Sequence, residues 1–183
     1  MTSGRIGVLA LALLLLAGAP VAGAQEALEC DSERTSLDDF IACLRARAPS
    51  SGKEGGQTAC SAAPHITSPV AGRRVLGFGD RTRNGIKSKG IVTETAAGAL
   101  ISAPAPGIVL FSGGWRSYGN LLIIDAGCNV DLLIGGQLQA SVGIGDHIAR
   151  GAAIGKMSEY ASPDLPALYL EVRENGAAVN PER

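Results

Sequence analysis

The sequence predicts an all-β sandwich or barrel with a short N-terminal helix, and three features predict it. Short apolar runs recur between turn-forming clusters of Gly, Pro, Asn and Asp. Glycine makes up 25 of 183 residues, a frequency that suits turns and disfavours helix interiors. Beyond the N-terminal apolar stretch, no long helical periodicity is present.

Arg5, the apolar run from Ile6 to Ala17 and the small residues Ala22-Gly23-Ala24 follow the order of a secretory signal peptide. The run is shorter than the roughly 20 residues that span a bilayer. Residues 1–24 are therefore expected to be removed, leaving an exported chain with no membrane span that starts near Gln25. No cysteine stands at the cleavage point to receive a lipid.

Residues 25–49 read as a short helical segment. Ser36 can cap a helix whose first turn carries Asp38 and Asp39, where carboxylates favour the helix dipole. Leu37, Phe40, Ile41 and Leu44 share one face at helical spacing. Arg45 and Arg47 lie in the last turn, and Pro49 ends it. Such a helix either covers part of the β domain or docks on another protein. Residues 50–65, rich in Ser, Gly and Ala, read as a flexible linker.

From residue 66 to 183 strands are expected at Gly107–Phe111, Asn120–Asp125 and Val130–Ile134, the last two paired as a hairpin. Ser112-Gly113-Gly114 is expected to end the first. Further strands are expected near residues 145–148, 153–156 and 167–172. Many short strands at turn-limited spacing suit a sandwich or barrel.

The net charge is −1, with no basic stripe that would suggest nucleic acid and no acidic tail. The four cysteines, Cys30, Cys43, Cys60 and Cys128, form no Cys-x-x-Cys pair, so disulfides are expected rather than a zinc site. Three pairings are open. We expect Cys30 with Cys43, clipping the helix to its leader, and Cys60 with Cys128, tying the linker to the domain.

Several segments then carry a family resemblance. Pro69-Val70-Ala71-Gly72 with Gly77-Phe78-Gly79-Asp80-Arg81, Lys89-Gly90-Ile91, Ser102-Ala103-Pro104, Tyr118-Gly119-Asn120, Gly145 to Gly151, and Leu168 to Arg173 with Val179-Asn180-Pro181 appear in order over residues 66–183. Together they resemble the LytM-type zinc peptidoglycan endopeptidase domain, which has the duplicated-hybrid-motif fold. Active members hold zinc with a His-x-x-x-Asp pair and the second His of a His-x-His pair, leaving one position open for a water that attacks the peptide bond.

The resemblance places Ser88 and Val92 at the first pair and Ala167 and Tyr169 at the second. The chain's two histidines, His65 and His147, fall before the domain and in a turn away from the groove. The resemblance thus implies a non-enzyme with no metal or other cofactor. It runs closest to the EnvC-type murein hydrolase activators, periplasmic proteins of cell division. That implies a non-catalytic activator of peptidoglycan amidases, binding an inhibitory helix of the N-acetylmuramoyl-L-alanine amidase in the vestigial groove through Lys89, Val92, Tyr118, Tyr169 and Arg173. Glu171 is expected to orient Arg173. The alternatives are a peptidoglycan-binding module with no effect on any enzyme, and an envelope subunit docked through residues 36–47. The long N-terminal coiled coil usual in full-length activators has no counterpart in this sequence, and residues 131–140 depart from the family pattern.

Overall fold

The computed structural model describes residue 30 and residues 35–47, 64–159 and 166–183. The expected signal peptide, Pro49 and residues 50–63 of the expected linker lie outside the described residues.

A helix, α1 (Leu37–Arg47), precedes eleven strands: β1 (Arg73–Leu76), β2 (Ile91–Glu94), β3 (Leu100–Ser102), β4 (Gly107–Trp115), β5 (Gly119–Asp125), β6 (Val130–Gly136), β7 (Leu138–Ala140), β8 (His147–Ile148), β9 (Ala153–Met157), β10 (Ala167–Glu174) and β11 (Ala177–Val179). The large sheet runs β1-β2-β10-β6-β5-β4-β8, with β11 on β10, and a small sheet runs β3-β9-β7. Every pairing among them is antiparallel. Among the described residues the fold is all-β with one short α-helix.

The continuous apolar runs of β5 and β6 explain the layering. A strand alternates its side chains between faces, so an uninterrupted run must be covered on both. On one face Leu122, Ile124, Leu132 and Ile134 join Leu168, Leu170 and Val172 of β10 and meet Ile101, Leu138, Ile154 and Met157 of the small sheet. On the other face Leu121, Ile123 and Leu133 join Leu110 and Trp115 of β4 and meet Phe40 and Ile41 of α1. The helix is thus the cover that the second apolar face requires.

The helix starts as its sequence dictates. The Ser36 hydroxyl accepts the Asp39 N–H at 3.1 Å, an N-cap, and donates to the Asp39 carboxylate at 2.7 Å. A disulfide joins Cys30 to Cys43. Cys128, in the β5–β6 turn, is also disulfide-bonded; Cys60, its expected partner, lies outside the described residues.

One expected boundary is corrected. Ser112-Gly113-Gly114 does not end β4, which continues to Trp115 in register with β5. The Phe111 ring lies over Gly113, 3.2 Å from where a Cβ would be, and Trp115 is buried beneath α1. Packing of these two aromatic rings holds the glycines extended.

Candidate functional site

The site is built on the α1-side face of the large sheet. Leu168, Leu170 and Val172 of β10 point into the main core, so Ala167, Tyr169, Glu171 and Arg173 point to the opposite face. Tyr169 stands directly across from Val92 of β2, and Ala167 across from Glu94. Ser88, just ahead of β2, is buried, and its hydroxyl donates to the Gly90 carbonyl at 2.8 Å.

Gly90 lets Tyr169 lie flat on the chain. A Cβ at this position would sit 2.8 Å from two Tyr169 ring carbons and 2.3 Å from the Leu170 carbonyl oxygen, closer than real atoms approach. Tyr118, in the 3₁₀ turn Arg116–Tyr118 that links β4 to β5, completes an aromatic pair with a centroid separation of 5.5 Å.

From Tyr169 a row of polar groups leads under the helix. The Tyr169 hydroxyl donates to one Glu171 carboxylate oxygen at 2.6 Å, and Arg173 Nε donates to the other at 2.6 Å. Arg173 Nη1 donates to the Asp38 carboxylate of α1. A second tie, Arg45 to Asp131 at 2.8 Å, fixes the far end of the helix.

Burial sets the protonation states. Desolvation, reinforced by the hydrogen bond to Glu171, pushes the Tyr169 phenol far above its ordinary value. Desolvation and the Glu171 charge raise Tyr118 as well. Burial alone would lower Arg173, but Glu171 and Asp38 outweigh it and raise the group. Both tyrosines are therefore neutral O–H groups at any physiological pH, and Arg173 is a fixed cation.

The structure brings Val92, Ala167, Tyr169 and Tyr118 to one face, with buried Ser88 and exposed Lys89 just ahead of β2. Arg173 is corrected: its side chain is only 3% exposed and is held between Glu171 and Asp38, so it anchors α1 rather than facing a partner. Glu171 orients it. His65 and His147 are both exposed, His147 on the edge strand β8. Residues 131–140 form β6 and β7. Sequence reading missed the Asp38–Arg173 and Arg45–Asp131 ties; Asp38 and Arg45 were visible only as helix-end charges, and separations of 135 and 86 residues leave no local signal.

An antiparallel sheet with a smaller sheet on one face, and β2 and β10 paired beneath the site, define a LytM-like domain. Residues 86–181 match the model of peptidase family M23, and the protein belongs to that family. It is 28% identical over 114 residues to the murein hydrolase activator EnvC of Escherichia coli, a match covering 62% of this chain and 27% of EnvC. An uncharacterized protein of Neisseria meningitidis is 33% identical over 117 residues, 63% of this chain and 19% of that one. The chain therefore spans only about a quarter or less of these relatives. Among solved structures, the catalytic domain of the prophage-encoded M23 protein EnpA from Enterococcus faecalis superimposes with a TM-score of 0.53 at 27% identity. That match covers 66% of this chain and 95% of the EnpA domain.

Proposed function

We propose that this protein is a non-catalytic regulator of peptidoglycan amidases that acts outside the cytoplasm and grips its partner on the sheet face around Tyr169. The observation that carries the reading is what occupies the four positions where the family resemblance puts metal ligands. Val92 and Ala167 have no donor atom. The Ser88 hydroxyl is committed to Gly90, and the Tyr169 phenol stays protonated and bonded to Glu171. Zinc binds imidazole, thiolate and carboxylate, so these residues do not fit it.

The face offers instead two half-buried tyrosines over a glycine floor with Val92 beside them, the side-chain chemistry of a binding hot spot. Such an aromatic and apolar face suits the apolar side of an amphipathic helix, and the inhibitory helix of an N-acetylmuramoyl-L-alanine amidase is the partner proposed. Similarity to a murein hydrolase activator supports the peptidoglycan connection, and the Cys30–Cys43 disulfide supports an oxidising, extracytoplasmic compartment. Activation is a population shift. Moving an amidase from 1:99 to 99:1 open requires about 10⁴-fold tighter binding of the open state, about 5.5 kcal/mol.

The test is titration of a fluorescein-labelled peptide carrying that amidase helix. Wild-type protein is expected to bind it, and Tyr169→Ala to weaken binding at least about tenfold, as for a hot-spot residue. Equal binding by both proteins, or none by wild type, would refute the reading. Pelleting with isolated sacculi in the absence of peptide binding would favour a wall-binding module.

A further inference from the structure

We infer that the β1–β2 connection is a second contact surface of this protein, shaped for an acidic, apolar-faced segment of a protein partner; the inference rests on the partner-binding reading above. Residues 77–90 form a narrow hairpin. The Gly79 N–H donates to the Ser88 carbonyl and the Ser88 N–H to the Asp80 carbonyl, both at 2.8 Å. Arg81 and Lys87 then form an antiparallel bridge. The Thr82 N–H donates to Ile86 and the Gly85 N–H to Thr82, both at 2.9 Å, closing a tip at which Gly85 takes φ +76°.

Most of the cations of this hairpin do not serve its own folding. Arg81 and Lys87 are two cations placed directly opposite each other, an arrangement that destabilises a strand pair. Arg83 at the tip and Lys89 at the root add two more exposed cations. Among the described residues Arg83, Lys87 and Lys89 have no ion-pair partner, and Arg81 donates only to the Gly85 carbonyl. The one acid in the hairpin, Asp80, accepts the Gly77 N–H. Arg73 and Arg74, in the adjoining strand β1, pair with Glu94 and Glu182. The excess is therefore local, in a chain whose net charge is −1.

Exposed apolar groups accompany the charge. Ile86 is 68% exposed, and Val75 and Phe78 are also exposed at the base. The root of the hairpin is Ser88 to Gly90, on which Tyr169 rests, so this surface continues the proposed groove. A wall glycan would answer the cations with carboxylates but leave Ile86 and Phe78 uncovered. A protein segment carrying acidic and apolar side chains answers both.

Charge complementarity of this kind acts mainly on association rate. The experiment measures association of the full chain with a purified amidase of the same organism on a biosensor, for wild type, Arg81→Glu/Lys87→Glu and, as a second variant, Arg83→Glu. The double variant is expected to associate about tenfold more slowly at low salt. Raising salt to about 0.5 M should slow wild type and leave the double variant nearly unchanged. Unchanged association rates and salt dependence in both variants, with binding still sensitive to Tyr169→Ala, would overturn this surface alone. No binding by wild type would overturn it together with the amidase reading. Charge-dependent capture by isolated sacculi or by phosphatidylglycerol vesicles, stronger than capture of the amidase, would overturn the assignment to a protein.

Discussion

Replacing Phe40 with alanine should release α1 from the sheet and expose the single tryptophan of the chain. Phe40 is 2% exposed and Trp115 3%. The Phe40 ring meets Phe111 edge-on at 5.1 Å and Trp115 at 4.4 Å between centroids, and its cluster includes Leu121, Ile123 and Leu133. Truncating a buried Phe to Ala costs about 3–5 kcal/mol, of which each aromatic contact contributes about 0.5–1.5 kcal/mol. If that loss exceeds the docking energy of the helix, α1 leaves as a unit, and global stability falls only by the docking energy. With α1 released, Trp115 meets water. The assay is tryptophan emission with urea unfolding, which one tryptophan makes unambiguous. Expected are a red-shifted emission maximum before unfolding begins and a lower urea midpoint, with the far-ultraviolet β signal kept. An unchanged emission maximum, with a stability loss under about 1 kcal/mol, would refute the claim that α1 seals this face, since so small a loss is typical of surface positions.

Arg173→Ala leaves the Glu171 carboxylate buried without its cation and is expected to cost about 3–5 kcal/mol in urea unfolding near neutral pH, where Arg173→Lys loses less. Gly90→Ala sets a methyl 2.3 Å from the Leu170 carbonyl and 2.8 Å from the Tyr169 ring. It should cost at least about 1–3 kcal/mol, as overpacking does, and weaken the tyrosine near-ultraviolet signal. Asp131 has its carboxyl raised above the ordinary 3.8, mainly by burial and against the pull of Arg45. The folded state then binds that proton more tightly than the unfolded chain. The stability this contributes is complete below pH 3.8 and is lost as pH rises through the raised folded value. Urea midpoints measured from pH 3 upward should show wild type losing ground to Asp131→Asn across that window and a constant offset above it.

Much of the fold was legible because its signals are local. The apolar runs at 120–125 and 130–134 named the central hairpin, and Ser36 with Asp38 and Asp39 marked the helix start. What stayed hidden depends on distant partners. Helical spacing showed that Phe40 and Ile41 share a face, but not that the second face of β5 and β6 receives it. Ser112-Gly113-Gly114 carried a turn signal that burial of Trp115 overrides. The resemblance implied that Arg173 meets a partner; its position on β10 under the first turn of α1 turns it inward to Asp38. The pairing of Arg81 with Lys87 across a hairpin is a matter of register, which single residues do not announce. Tyr169 was legible as an aromatic replacement at a ligand position, but the close approach to Gly90 that flattens it was not.

The most direct measurement is dye release from labelled cell wall by an amidase of the same organism, with and without this protein. The account predicts no release by this protein alone, a rise when amidase is added, and a smaller rise with Tyr169→Ala. Release by this protein alone, dependent on zinc, would contradict it, as would an amidase rate that no amount of the protein changes.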